Sequence, residues 1–195
     1  MLAMKLLEPN RTPMTPDERL TRLRAADLAG DRVDVLPFWG HRPTATGAPG
    51  IGCLSQWWPV DFSVNGVTYP SAEHWMMAAK ARLFDDLDGL AKVLAANSPG
   101  AAKAAGRKVQ GFDEQRWVAA RYDIVVAGNL AKFSQHPDLR QFLVATRERV
   151  LVEASPYDRI WGVGMAPTNP DVHRPSAWRG RNLLGFALMD VRAQL

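Results

Sequence analysis

One carboxylate stands alone in an apolar segment of the sequence and is the first candidate for chemistry. Glu73 lies within the stretch YPSAEHWMMAAK, residues 69–80. Ser71 is a typical helix N-cap, and the predicted helix places Glu73 on one face with two methionines and Lys80. A carboxylate there is costly to bury unless it is paired or faces a cleft, and burial raises its pKa. Glu73 is therefore predicted to be catalytic; the competing interpretation is that it only complements the dipole of the first helical turn.

A second carboxylate, Asp158, lies in a segment rich in aromatic residues and glycine, residues 155–164. Two carboxylates, several tryptophans and scattered cations fit the hydrolysis of a glycosidic bond. That reaction passes through an oxocarbenium-like state, which needs a carboxylate to stabilise charge or activate water and an acid or base to assist the leaving group. An N-glycoside also offers a planar base, which Trp117 or Trp161 can stack, and a phosphate suits Lys or Arg.

The composition limits the classes of protein and site to consider. The chain has 195 residues, 47% of them hydrophobic, which predicts one core and a single domain. A net charge of +4 suits a small anionic ligand but does not by itself indicate nucleic-acid binding. Cys53 is the only cysteine, so no internal disulfide forms, and the cytoplasm is the predicted location. No apolar run of membrane-spanning length and no secretory signal is present, so we expect no membrane partner.

The sequence lacks several common motifs of nucleotide-binding and metal-binding sites. Gly162-Val163-Gly164 lacks the third glycine of a dinucleotide fingerprint, and no phosphate-binding Gly-Lys-Ser or Gly-Lys-Thr loop occurs. The four histidines show no paired metal-ligand spacing. Cys53 follows glycine and precedes leucine, and it is interpreted as a small core residue rather than a nucleophile. We therefore predict neither a metal nor a cofactor.

The N-terminal part of the chain is predicted to precede the main domain. Residues 1–13 show no periodicity and are interpreted as a loose arm. Thr15 begins a capping-box pattern with a first-turn proline, which predicts a short helix that Gly30 ends. Arm and helix together form a first segment, residues 1–30, and the main domain is predicted over residues 31–195.

The main domain is predicted to be mostly helical with a little β-structure. Residues 33–39 and 150–152 are predicted strands, residues 41–52 a loop, and residues 61–69 a hairpin around Asn65-Gly66. Helices are predicted over residues 86–96, from Ser98-Pro99 to Gly106, and after Asp113, Pro137 and Asn182, the last as an N-cap.

The helix after Asp113 is the longest, and its apolar residues repeat at helical spacing. The predicted core face consists of Trp117, Ala120, Ile124, Ala127 and Leu130 or Ala131. On periodicity alone, Trp117 is a core residue. These elements together predict a single α+β domain, mostly helical, with a small β-hairpin or sheet.

The ordered set of motifs resembles one known family, the NADAR proteins or YbiA-like N-glycosidases. The resemblance runs from Val35 to Leu195 and departs from the family's usual Ser-Asn-aromatic pattern at residues 55–57, which read Ser-Gln-Trp. The motifs that carry it are Leu54-Ser55-Gln56-Trp57, Val64 to His74, Lys80, Ala102-Lys103 with Gly106-Arg107, Lys132-Phe133, Leu151 to Ala154, Asp158 with Trp161-Gly162, and Gly180 to Gly185.

The resemblance implies an α+β domain that hydrolyses an N-glycosidic bond without metal. By position it implies that Glu73 and Asp158 are catalytic and that Trp117 and Trp161 belong to the site. Trp117 then moves from core to pocket wall. The full predicted substrate-binding set is Trp117, Trp161, Lys80, Arg107, Trp39 and Asn182.

Two substrate classes are known in the family. The leading prediction is a phosphorylated ribosylamino-pyrimidine of riboflavin biosynthesis, a small nucleotide-like molecule. The alternative is ADP-ribose attached to guanine, in nucleotides or nucleic acid, which predicts a longer basic groove. A non-catalytic ADP-ribose sensor is a third alternative. Both carboxylates disfavour it, because a binder of anions gains nothing from negative charge nearby.

Overall fold

The computed structural model describes residues 14–195, which form a helical domain with two small sheets. This is the predicted α+β class. Short 3-10 helices occur at Ile51–Leu54, Pro170–His173 and Pro175–Ala177. The other elements, in chain order, are α1 (Pro16–Leu28), β1 (Val35–Phe38), β2 (Phe62–Val64), β3 (Val67–Tyr69), α2 (Ala72–Leu83), α3 (Leu87–Leu94), α4 (Pro99–Gly106), α5 (Glu114–Gln135), α6 (Pro137–Ala145), β4 (Val150–Glu153) and α7 (Leu183–Arg192).

One sheet pairs strands that are neighbours in the sequence, and the other pairs strands that are far apart in it. Strands β2 and β3 form the predicted hairpin, in which Asn65 and Gly66 have positive φ angles of 50° and 78°. These angles suit the tight turn that an Asn-Gly pair favours. Strands β1 and β4 pair in parallel, from Val35 opposite Val150 to Phe38 opposite Glu153. This second pairing joins distant parts of the chain and brings Glu153 beside the end of β1.

Side-chain caps begin five helices where the sequence predicts them. Ser71 accepts a hydrogen bond from the backbone N–H of His74, and Thr15 and Glu18 form the complete capping box of α1. Asp86, Ser98 and Asp113 cap α3, α4 and α5 in the same way. These caps satisfy N–H groups that the first helical turn leaves without partners.

The prediction that Asn182 caps α7 is wrong. Its side chain makes no capping hydrogen bond, and its backbone has a positive φ of 56°. The amide instead bridges to β4: Nδ2 donates to the carbonyl oxygen of Leu151 at 2.8 Å, and Oδ1 accepts from the N–H of Glu153 at 3.0 Å. A buried amide is more stable when both ends are bonded, and β4 offers a donor and an acceptor together.

The predicted core face of α5 is confirmed in part: Trp117, Ile124, Leu130 and Ala131 pack against the core but are only partly buried, and Ala127 is exposed. The buried positions lie beside this face, at Arg121, Val125, Gly128-Asn129 and Lys132-Phe133. Hydrophobic periodicity does not predict these buried positions, because several of them carry polar side chains. Gly128 permits the close approach, since a Cβ there would lie 2.1 Å from Cδ1 of Trp75 on α2.

Helix α1 lies against the rest of the described chain. Leu20 is buried in an apolar cluster with residues of β1, β4 and α7, and Arg19 pairs with Asp190 at 2.6 Å. The predicted arm, residues 1–13, lies outside the described residues. The predicted loop after β1 ends in the 3-10 helix at Ile51–Leu54, where Gly52 packs so closely that a Cβ would lie 2.5 Å from the carbonyl oxygen of Arg42.

Helix α2 forms the centre of the fold and packs against α3, α4 and α5, while α7 packs against α5 and β4. None of the helices within residues 14–195 combines the length and apolar character that a membrane span requires.

Candidate active site

The first turn of α2 holds Glu73 in the interior. Its backbone N–H donates to the carbonyl oxygen of Gln56 at 2.9 Å, and the residue is only 2% exposed. Within residues 14–195, Oε1 has no hydrogen-bond partner. Burial raises the pKa of Glu73 to about 7; the Lys103 charge, the Trp57 side chain and the Arg107 charge act in the opposite direction. Glu73 therefore titrates close to neutral pH, as a catalytic carboxyl group requires.

Glu153 adds another carboxyl group to the same cavity. It is the last residue of β4, and its Oε2 is buried without a hydrogen-bond partner in the described chain. Burial raises the pKa of Glu153 to about 8, and the negative charges of Asp158 and Glu73 raise it further than Lys103 lowers it. Glu153 is not among the site residues predicted from the sequence. The available signal was a single carboxylate directly after the apolar strand residues 150–152.

A tight loop fixes Asp158. Its Oδ1 accepts hydrogen bonds from the backbone N–H groups of Ile160 and Trp161, each at 2.8 Å. The loop packs backbone to backbone against the segment before α7, and a Cβ on Gly180 would lie 2.2 Å from the carbonyl oxygen of Gly162. Glycine at position 180 is therefore required by close contact.

Two cations, Lys103 and Arg107, come from α4 and its C-cap. Lys80 of α2 lies nearby, and its Nζ donates to the carbonyl oxygen of Gly106 at 2.9 Å. The same Nζ lies 4.3 Å from the ring centre of Phe112 and 5.7 Å from that of Trp117. Burial lowers the pKa of Lys80. Aromatic faces and a carbonyl thus stabilise this ammonium group.

These side chains line a cleft with two adjoining compartments. The inner compartment has a volume of about 260 Å³ and the outer one about 460 Å³. The inner compartment alone includes Glu73, Lys80, Trp117 and Trp161, and the outer alone includes Trp39, His41 and Tyr157. Six residues line both and mark the junction: Ser55, Trp57, Lys103, Arg107, Glu153 and Asp158.

Most of the predicted site residues therefore come together. Glu73, Asp158, Trp117, Trp161, Lys80 and Arg107 line the inner compartment. Trp39 lines the outer one and is half exposed. Asn182 lines neither compartment, because its side chain is bound to β4 beneath Glu153. Trp117 is half-buried and borders the cavity, as the family resemblance implies and as periodicity alone does not.

Gln56, Trp57 and Lys103 also line the inner compartment and are not among the site residues predicted from the sequence. Side chains of α5 donate hydrogen bonds to segment 53–56. Lys132, fully buried, donates to the carbonyl oxygens of Cys53 and Ser55 at 2.6 and 3.0 Å. Asn129 donates to Oε1 of Gln56 at 2.8 Å. The polar face of α5 is therefore the support for one wall of the cleft.

Thiol chemistry has little support in this site. Among residues 14–195, no group of three histidine, cysteine, aspartate or glutamate side chains could hold a metal ion. Cys53 is buried in the core, as predicted, and burial raises the pKa of its thiol to about 11. A thiol with that pKa is a poor nucleophile at neutral pH.

Chemically, the cleft combines acidic groups, cations and flat aromatic surfaces. Carboxyl groups at its centre can stabilise a developing positive charge, activate water or supply a proton. Lys103 and Arg107 can bind an anionic group beside them. Trp117 and Trp161 offer faces on which a planar heterocycle can stack.

Comparison with known proteins shows which proteins this chain is similar to. A family model described as the NADAR domain matches residues 37–195. N-glycosidase R617 of Acanthamoeba polyphaga mimivirus is 41% identical over 74% of this chain and 88% of its own length. A riboflavin biosynthesis protein of Vibrio vulnificus is 34% identical over 74% of this chain, which spans only 35% of that longer protein.

A solved structure shares the fold. The solution NMR structure of YbiA from Escherichia coli superposes with a TM-score of 0.66 and 28% sequence identity, over 83% of this chain and 85% of YbiA. YbiA is named an N-glycosidase, and its sequence is 32% identical over 71% of this chain and 76% of its own length.

Proposed function

The chain belongs to the NADAR family and is a hydrolase of N-glycosyl bonds, and on that premise we propose that its substrate is a phosphorylated ribosylamino-pyrimidine of riboflavin biosynthesis. The name of the Vibrio vulnificus relative supports this pathway. The single cysteine fits a cytoplasmic enzyme, where such phosphorylated intermediates occur.

The observation that carries this proposal is the grouping of charges at the junction of the two compartments. Asp158 and Glu153 lie there together with Lys103 and Arg107, and Glu73 lies just inside. A small N-ribosyl phosphate carries groups that complement these side chains. It has a planar base, an anomeric carbon that becomes positive, and an anion a few bonds away.

The order of base, anomeric carbon and phosphate in this substrate gives each cleft residue a role. The pyrimidine enters the inner compartment and stacks on Trp117 or Trp161. The anomeric carbon then lies at the junction, where Glu73 and Asp158 share charge stabilisation and the activation of water. Arg107 and Lys103 hold the phosphate, and Lys80 borders the base or the sugar from the inner side.

The test is release of sugar by the full-length chain in metal-free buffer. The phosphorylated ribosylamino-pyrimidine and ADP-ribosylated guanosine are incubated in parallel, and the products are followed by mass spectrometry. We expect ribose 5-phosphate from the first substrate. Asp158→Asn is the inactive control, with kcat reduced by about a hundredfold or more. Release of ADP-ribose alone would reject the pyrimidine substrate.

The outer compartment favours a second candidate, removal of ADP-ribose from guanine. Trp39 and Tyr157 are exposed there beside His41, and a small pyrimidine nucleotide leaves them without a contact. A ligand with a second heterocycle could use them for stacking. Replacing both Trp39 and Tyr157 with alanine should then raise KM for ADP-ribosylated guanosine by tenfold or more and leave KM for the pyrimidine within about twofold.

A further inference from the structure

Three backbone contacts fix the position of Glu153 at the junction. Its N–H donates to Oδ1 of Asn182 at 3.0 Å, and its carbonyl oxygen accepts from the N–H of Val163 at 2.9 Å. Across the sheet it lies opposite Phe38 in the β1–β4 pair. With its backbone held in this way, the side chain borders both compartments of the cleft.

The carboxyl group of Glu153 is not neutralised by a direct ion pair in the described part of the chain. Within residues 14–195, no lysine or arginine forms an ion pair with it, and Oε2 is buried without a hydrogen bond. The charges of Asp158, Glu73 and Lys103 act on its pKa, and Arg107 lines the same two compartments. A buried carboxylate beside other carboxylates is costly, whereas a neutral carboxylic acid is not.

We propose that Glu153 is the general acid of the reaction and delivers its proton to the leaving nitrogen of the base. This assignment rests on the proposed function. The bond between the anomeric carbon and the nitrogen breaks, and the nitrogen takes the proton of Glu153. A water oxygen bonds to the anomeric carbon and gives its proton to Glu73 or Asp158, from which a proton returns to Glu153 through water.

Position distinguishes Glu153 from Glu73, and hydrogen bonding distinguishes it from Asp158. In a bound N-riboside, the glycosidic bond joins the base in one compartment to the sugar in the other. Glu153 borders both, whereas Glu73 borders the inner one alone. Asp158 also borders both, but two backbone N–H groups donate to its Oδ1 and hold that carboxyl group against its own loop. Glu153 therefore has the best-placed free carboxyl group.

The raised pKa values of the two glutamates support the same assignment. The raised pKa values are about 7 for Glu73 and about 8 for Glu153, and the Glu73 charge contributes to the second. Glu153 therefore keeps its proton to a higher pH than an ordinary carboxyl group, and an ionised Glu73 raises its pKa further. A protonated Glu153 beside an ionised Glu73 gives the acid and the base that general acid–base catalysis requires.

The first test compares two leaving groups in the wild type and in Glu153→Gln. The natural amino-linked base needs a proton to leave, whereas 4-nitrophenolate on ribose 5-phosphate does not. We expect kcat for the pyrimidine substrate to fall by about a hundredfold or more and kcat for the nitrophenyl riboside by less than about fivefold. Wild-type kcat should also decline above about pH 8, and that decline should be absent in Glu153→Gln. Equal losses on both substrates would indicate a structural role and overturn the proposal.

Glu148→Gln provides the matched control, because Glu148 is exposed just before β4 and lies outside the cleft. It should leave both kcat values unchanged.

The second test needs no substrate. At pH 7, the infrared difference spectrum between wild type and Glu153→Gln should contain the carbonyl stretch of a protonated carboxyl group. Absence of that band overturns the proposal whatever the substrate is. If the band is present but the wild type does not cleave the pyrimidine, the proposed substrate is wrong, and the leaving-group comparison is made between ADP-ribosylated guanosine and the nitrophenyl riboside.

Discussion

Glu73 is deeply buried and lies in the first turn of α2. It could therefore serve in catalysis or only complement the helix dipole, and a substitution can separate these two interpretations. If it serves in catalysis, Glu73→Gln should lower kcat by about a hundredfold or more with little change in fold, because glutamine nearly preserves the side-chain shape. Steady-state kinetics and thermal unfolding measure both effects. Normal turnover of Glu73→Gln at saturating substrate would contradict the mechanism.

Glu114 offers a control for the helix-dipole interpretation. It also lies in the first turn of a helix, α5, but is exposed. Glu114→Gln should cost no more than about 1 kcal/mol of stability, through the lost interaction with the helix dipole, and should leave kcat unchanged.

The raised pKa values at residues 73 and 153 also predict how stability depends on pH. Each carboxyl group binds its proton more tightly in the folded protein than in the unfolded chain, where the pKa lies near 4.5. Glu73 is more protonated in the folded state than in the unfolded state between about pH 4.5 and pH 7. For Glu153 this range extends to about pH 8. Both groups therefore lower the free energy of unfolding as pH rises through this range.

Urea unfolding at several pH values measures that dependence. The double variant Glu73→Gln, Glu153→Gln should be more stable relative to wild type at pH 8 than at pH 5. A difference that is constant with pH, or that changes in the opposite direction, would show that the two carboxyl groups are not protonated more readily in the folded state.

At the scale of elements, the packing of α4 on α2 depends on Gly106. A Cβ on Gly106 would lie 2.2 Å from Sδ and 2.9 Å from Cβ of Met77, so side-chain rotation alone cannot relieve the overlap. Gly106→Ala should destabilise the protein by about 1–3 kcal/mol, as overpacking usually does. It should also lower kcat/KM, because α4 carries Lys103 and its C-cap is Arg107. Chemical denaturation and kinetics measure these effects.

Gly100 in the same helix is the matched control. A Cβ there would meet only the ring of Trp57, at an ordinary contact distance of 3.6 Å. Because alanine has a higher helix propensity than glycine, Gly100→Ala should be neutral or stabilising by up to about 1 kcal/mol. A larger loss for Gly100→Ala than for Gly106→Ala would contradict this account of the α2–α4 contact.

At the scale of the whole molecule, α1 covers an apolar cluster formed by β1, β4 and α7. Leu20 is 6% exposed in that cluster, whereas Leu28 of the same helix is 76% exposed. Leu20→Ala should lower the free energy of unfolding by about 2 kcal/mol or more, and Leu28→Ala by less than about 0.5 kcal/mol. Equal effects in denaturant titrations would show that α1 does not contribute to the stability of the domain.

Local features of the sequence determined most of the secondary structure. The N-caps at Ser71 and Asp113, the capping box at Thr15 and the Asn65-Gly66 turn are interactions between residues a few positions apart, so their geometry is encoded where it occurs. The class of fold followed from these elements. Residue types and their surroundings made Glu73 and Asp158 candidates and offered Trp117 or Trp161 for stacking. The resemblance to a family then assigned all four to the site, whereas periodicity alone assigned Trp117 to the core.

Tertiary structure decided which of these residues meet and which side chains support them. The parallel pairing of β1 with β4 brings Glu153 to the cleft, and the packing of α4 on α2 brings Lys103 there. The same long-range packing directs Asn182 to β4 and buries Lys132 on a polar face of α5. None of these contacts leaves a local pattern, because each depends on complementary surfaces and unsatisfied polar groups that are far apart in the chain and adjacent only after folding.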